Sequence, residues 1–154
     1  MDKVTRRQFV AGAAATAATG LLIGTSKTSW AGANDRVNVC VMGVNGRGNA
    51  HLSAYGKIEN TNVTSVCEVD TRLFAPCAEK FTANGLKEPK FEQDIRKVLE
   101  DKDVDVISMA TPNHWHSLAT IWACQAGKDV YVEKPMTHNH YEGTKVVEAA
   151  TKYE

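Results

Sequence analysis

Hydrophobic and polar positions change period several times after residue 35. Val37 to Met42 (VNVCVM) is a β-branched run that stops at a glycine, and Asn49 to Lys57 then follows helical spacing. Asn62 to Cys67 (NVTSVC) reads as a second strand. Thr71, a good N-cap, opens a helix that ends near Asn84-Gly85. A weak third strand is expected around Lys90-Phe91, and Asp94 caps a short helix through Leu99. Val104 to Ala110 (VDVISMA) is the clearest buried strand. A helix follows it from about His116 to Ala126, with Gly127 as C-terminal cap. Asp129 to Glu133 (DVYVE) is the fifth strand and Tyr141 to Lys152 the last helix. Short strands spaced by helices predict βαβ units and one parallel sheet. The expected fold class is α/β, a doubly wound sheet in the order 3-2-1-4-5 with helices on both faces.

Residues 1–33 have another character. Arg6 and Arg7 form a charged start, and Phe9 to Gly24 is an uncharged Ala/Gly-rich stretch of about 16 residues. That is short of the roughly 20 a membrane-spanning helix needs. Ala31-Gly32-Ala33 fits an A-x-A cleavage site. Thr5 to Val10 (TRRQFV) resembles the twin-arginine export signal, with a retained anchor or an ordinary secretion signal as alternatives. The expectation is an export signal over 1–33, a domain over 34–154 and a periplasmic location. That pathway suits a protein that takes up its cofactor before leaving the cytoplasm.

Charge changes the picture by exclusion. Lys plus Arg and Asp plus Glu each number 18, so the formal charge is zero. Neither a basic stripe nor an acidic run is present, and nucleic acid is not expected as a partner. Cys40, Cys67, Cys77 and Cys124 lack C-x-x-C spacing. Three of them sit in apolar stretches, where small buried hydrophobes describe them better than disulfides.

Gly43-Val44-Asn45-Gly46-Arg47-Gly48 follows the first strand directly and opens a helix. In that context a glycine pattern becomes a candidate phosphate loop of the Rossmann type. A pyrophosphate lies against backbone N–H groups at a helix N-terminus, and a side chain on the contacting turn would hold it off. Gly43 and Gly48 fill the outer positions of G-x-G-x-x-G. Asn45 replaces the middle glycine, as a residue that tolerates left-handed backbone angles, and Gly46 adds a second permissive position. Glu68 ends the second strand 20 residues after Gly48, where an acid accepts hydrogen bonds from an adenosine ribose. An acid there repels a 2′-phosphate and favours NAD over NADP. Arg47 and Arg72 are the counterweights, and Asp70 competes for the ribose.

In doubly wound sheets ligands bind at the carboxyl ends of strands. The fourth strand ends in Thr111-Pro112-Asn113-His114-Trp115-His116 and the fifth in Glu133-Lys134-Pro135. The combination of GVNGRG, CEVD, TPNHWH and VYVEKP resembles the Gfo/Idh/MocA family, which includes glucose–fructose oxidoreductase and inositol dehydrogenase. The likeness runs from Arg36 to Glu154. It implies that Lys134 is the active-site lysine beside the nicotinamide and that Pro135 shapes its loop. It also implies that Thr111, Pro112, Asn113 and His116 wall the cofactor, while Trp115 does so or simply packs. Removing a hydride from a secondary alcohol needs a group that handles the hydroxyl proton, which suits a positioned lysine. Glu133 is expected to orient that lysine or touch the cofactor, against the alternative of a plain Glu133–Lys134 ion pair.

The pairs His114/His116 and His138/His140 raise a metal reading, but zinc takes four ligands and the cysteines lie elsewhere. No metal is expected. Family members continue into a sixth strand and an α+β domain that carries the substrate pocket and its acid/base Asp and His. The sequence is therefore expected to be truncated, inactive alone, and part of a homo-oligomer when full length. The resulting expectation is the NAD(P)-binding half of an oxidoreductase acting on a sugar or polyol alcohol. The alternatives are an NAD-dependent glycosidase of the same family and a stand-alone dinucleotide-binding module. A methyltransferase would have no use for a lysine-proline motif after the fifth strand.

Overall fold

The computed structural model of the protein describes residues 36–153. The expected export signal and cleavage site at 1–33 lie outside them. β1 (Val37–Met42), β2 (Thr61–Cys67), β3 (Lys90–Glu92), β4 (Val106–Met109) and β5 (Asp129–Val132) form one sheet. Its order is β3-β2-β1-β4-β5 and every neighbouring pair is parallel, as expected. The helices are α1 (Arg47–Tyr55), α2 (Phe74–Ala83), α3 (Ile95–Leu99), α4 (Asn113–Gln125) and α5 (His140–Tyr153).

The central strand feeds both faces because side chains alternate along it. Val39 and Val41 pack with Leu52 of α1 and with Cys77 and Phe81 of α2, while Cys40 and Met42 pack with Ile95 and Val98 of α3 and Ala119 and Ala123 of α4. A parallel sheet covered on both faces explains why its strands read as continuous apolar runs. Cys40, Cys67 and Cys77 are buried free thiols. Burial pushes the Cys40 thiol up to about 12 and raises Cys67 as well, which suits packing and not reaction.

Register sets the site. Met42 pairs with both Cys67 and Met109, Cys67 with Glu92, and Met109 with Val132, so all five carboxyl ends finish on one row. The ladder then runs one rung further. Gly43 N–H donates to Cys67 O at 2.8 Å, Glu68 N–H to Glu92 O at 3.0 Å, Ala110 N–H to Met42 O at 2.8 Å and Glu133 N–H to Met109 O at 3.0 Å. The candidate residues of four separate motifs therefore leave the sheet from the same edge.

Several boundaries differ from the expected ones for local reasons. Asp70, not Thr71, caps the segment after β2, accepting from Arg72 N–H at 3.1 Å, and a 3-10 turn over Thr71–Leu73 precedes α2. α4 starts at Asn113, three residues early, because Pro112 already supplies the turn and its carbonyl accepts from Trp115 N–H at 3.0 Å. β4 is shorter than VDVISMA, since Val104 N–H is spent on Asp101 O in the preceding turn. Asn139 and Glu142 cap α5 reciprocally, Asn139 Oδ1 accepting from Glu142 N–H and Glu142 Oε1 from Asn139 Nδ2. Among the described residues β5 has a sheet neighbour on one side, and Tyr131 on it is exposed.

Candidate functional site

The loop after β1 is shaped by two glycines. Gly43 has φ +84°, and a Cβ there would stand 3.0 Å from the Ala110 carbonyl oxygen. Gly48, buried in the first turn of α1, carries no Cβ because one would overlap the carbonyl oxygen of Gly43. Asn60 is the one non-glycine with positive φ among the described residues. Asn45 therefore does not use the left-handed tolerance expected of it; Gly43 takes that conformation instead. Gly46 caps α1 with no side-chain hydrogen bond, and no acid lies in the first turn. Asn45, Gly46 and Arg47 line the groove at the start of α1, where the backbone N–H groups of a positive helix end suit an anion.

Glu68 braces this loop from β2. Its Oε2 accepts from Val44 N–H at 2.9 Å and its Oε1 from Asp70 N–H at 3.1 Å, with the residue 8% exposed. Each oxygen keeps one further accepting position. Glu68 therefore opens on the groove while fixing the loop, a bracing role that spacing alone did not reveal.

A groove of about 1060 Å³ runs along the carboxyl edge, lined by Gly43, Asn45, Gly46, Arg47, Glu68, Thr111 and Pro112 among others. A second pocket of about 370 Å³ shares Arg47, Ala110 and Thr111 with it and adds His116, Glu133 and Lys134. The shared residues set the Lys134 pocket beside the groove that holds the loop and Glu68. Gly48 lies beneath the loop. Asn113 is exposed at the start of α4 and Pro135 is exposed beyond the second pocket; neither lines the groove or that pocket. Sequence reasoning missed Gln93, Asp94, Ile95 and Arg96, which line the groove from the turn after β3. The rule that ligands sit at strand carboxyl ends applies to β3 as well and could have found them. Trp115 does both things considered for it, lining the groove and packing edge-on against Trp122 with ring centroids 6.5 Å apart.

His116 is 1% exposed, and its ring nitrogens face two carbonyl oxygens, Pro135 O at 2.7 Å from Nδ1 and Thr111 O at 2.9 Å from Nε2. It straps the turn after β4 to the turn after β5, and so supports the wall it lines. Lys134 is exposed, and its ammonium has no hydrogen-bond or ion-pair partner among the described residues. Glu133 does not pair with it. Its carboxylate accepts from Arg47 Nε at 2.7 Å and stands 2.9 Å from His51 Nε2. The expectation that Glu133 orients the Lys134 side chain is corrected here, and so is the alternative ion pair. The Arg47 and then the His51 hydrogen bond hold the Glu133 carboxyl down at about 2.

Both arginines that could meet a 2′-phosphate are already engaged, Arg47 with Glu133 and Arg72 with both oxygens of Asp70 at 2.8 and 2.6 Å. Among the described residues no three His, Cys, Asp or Glu side chains gather as metal ligands.

The sequence profile of the Gfo/Idh/MocA oxidoreductase family, with its NAD-binding Rossmann fold, matches residues 37–154. Glycosyl hydrolase family 109 protein 2 of Shewanella sp. (strain ANA-3) is 31% identical over 120 residues, 75% of this chain and 26% of that protein. Among solved structures, levoglucosan dehydrogenase in complex with NADH and levoglucosan is 28% identical with a TM-score of 0.68, over 77% of this chain and 33% of that one. An NAD-binding oxidoreductase from Klebsiella pneumoniae is also 28% identical, with a TM-score of 0.67, over 77% of this chain and 32% of that one. The chain thus spans about a quarter of the length of these curated relatives and about a third of the solved ones.

Proposed function

The chain belongs to the Gfo/Idh/MocA family of oxidoreductases with an NAD-binding Rossmann fold, and on that premise we propose that it is the nucleotide-binding half of an NAD-dependent oxidoreductase of sugar or polyol secondary alcohols. The observation that carries this reading is the single row of strand ends, which brings the glycine loop and Glu68 to one groove and Lys134 to a pocket that shares Arg47, Ala110 and Thr111 with it. When bound, the nicotinamide supplies the hydride acceptor. The chain's own work is binding and proton handling. Backbone N–H groups of the loop hold the pyrophosphate, Glu68 accepts from the adenosine ribose, and Lys134 meets the substrate hydroxyl and its proton. Assembly into a homo-oligomer belongs to the same reading.

NAD is favoured over NADP because the buried Glu68 repels a 2′-phosphate and Arg72 and Arg47 are already paired. Glu68→Ala is expected to weaken NAD binding by roughly 1.5–3 kcal/mol more than NADP binding, the range for a hydrogen bond to a charged group. Part of the loss is common to both, since the same carboxylate braces Val44. Calorimetry with the two cofactors measures this, and equal losses would remove Glu68 from the ribose role.

A second reading is supported by the names of the curated relatives, glycosyl hydrolase family 109 proteins. An NAD-dependent glycosidase would oxidise and then re-reduce its sugar, so it would accumulate no NADH. In a completed enzyme, NADH build-up with a polyol supports the oxidoreductase, whereas aglycone release at constant NADH absorbance supports the glycosidase.

Export by the twin-arginine route to the periplasm is also proposed, on the motif Thr5 to Val10. Arg6→Lys with Arg7→Lys is expected to hold the protein in the cytoplasm. Fractionation that finds the double variant exported as before contradicts it.

A further inference from the structure

We propose that His51 is a positioning residue that ties the Glu133–Lys134 corner to the helix carrying the phosphate loop and keeps the Glu133 carboxylate off the Lys134 ammonium. The inference rests on reading the loop and Lys134 as two ends of one dinucleotide site.

His51 lies one helical turn after Arg47 on α1, so both side chains reach from the same face toward Glu133. It is 7% exposed, and its ring reaches from α1 to Ser108 of β4 and to Glu133 just after β5. Nε2 stands 2.9 Å from Glu133 Oε1 and Nδ1 stands 2.9 Å from Ser108 Oγ. The Tyr131 ring of β5 meets it edge-on, with centroids 5.5 Å apart.

The direction of the bonds follows from the donors available. A carboxylate only accepts, so a bare Nε2 would set one lone pair against another. Nε2 therefore carries a proton. Ser108, fully buried, accepts from Tyr55 Oη at 3.1 Å, which leaves its own hydroxyl hydrogen for Nδ1. The chain Tyr55 to Ser108 to His51 to Glu133 then satisfies every member with the Nε2–H tautomer.

Glu133 and Lys134 are chain neighbours, and an untethered carboxylate beside a free ammonium would pair with it. Arg47 and His51 capture that carboxylate, and Arg47 alone, with a side chain 64% exposed, is a weakly held clamp. The buried His51 makes the clamp rigid. Lys134 is thereby left with its ammonium unpaired in the pocket beside the groove.

NMR on the chain itself, with no cofactor added, tests this. His51 is expected to be protonated at Nε2. In His51→Leu, the amides of Glu133 and Lys134 are expected to exchange with solvent about tenfold faster, while Ile107 and Met109 in β4 keep wild-type protection. His51→Gln, which retains a side-chain N–H, should bring both amides back to within about threefold of wild type. Glu133→Gln approaches the same bond from its exposed end and is expected to accelerate the Lys134 amide similarly, so the test survives a leucine variant that fails to fold. A bare Nε2, uniform loss of protection across β4 and β5, or unchanged exchange at Glu133 and Lys134 overturns the proposal. An NADH titration of the wild type is separate: failure to bind overturns the cofactor reading and leaves the His51 result to stand by itself.

Discussion

Gly48→Ala is expected to abolish detectable NADH binding and to lower the melting temperature by roughly 10 °C, taking about 3 kcal/mol as the cost of a clash with no easy escape. The added Cβ would overlap the carbonyl oxygen of Gly43 and stand 2.9 Å from its carbon. Both are backbone atoms, so no rotamer change relieves the contact. Gly43 cannot retreat cheaply either, since its N–H donates to Cys67 O and its φ of +84° suits few other conformations. Moving α1 instead would pull Leu52 out of the core and His51 off Ser108. Gly46→Ala is the control within the same loop, because a Cβ there meets nothing within 4 Å. It should melt like the wild type, so the contrast separates loop geometry from glycine content. Thermal melts read with NADH fluorescence check both, and a Gly48→Ala protein that melts and binds like the wild type contradicts the structure of the loop.

Lys134→Ala is expected to have the largest effect on chemistry and almost none on the fold. In an enzyme completed with the carboxyl half of a family member, kcat should fall by about 10²- to 10⁴-fold, the usual worth of a positioned acid–base group. NADH affinity should change by less than about threefold, because the lysine is exposed and without a polar partner in the described residues. The melting temperature should not move measurably. Retention of more than about a tenth of kcat would take Lys134 out of the proton's path.

The sheet order was readable because strands alternating with helices predict a doubly wound parallel sheet, and a glycine-rich turn after the first strand points to the dinucleotide-binding order among such sheets. The loop was readable because Gly43 and Gly48 flank a strand-to-helix junction, a local feature. Asn45 shows the limit: its residue type suggested a left-handed backbone, yet Gly43 had already turned the chain. Glu133 shows another. Its partners Arg47 and His51 lie 86 and 82 positions away. They meet it only because parallel pairing brings the end of β5 within reach of two α1 side chains, a matter of register that no single motif encodes. Lys134, adjacent in sequence, was the obvious partner and the wrong one. Nothing in the helical stretch Asn49 to Lys57 singled out His51, and the groove residues after β3 were hidden behind the weakest strand.

The central claim is that residues 36–153 form a dinucleotide site, and titration of the purified chain with NADH tests it most directly. The account predicts saturable binding in the micromolar-to-millimolar range, about 4–8 kcal/mol. ADP-ribose should compete. A chain that melts cooperatively and yet shows no NADH binding at millimolar cofactor would contradict it.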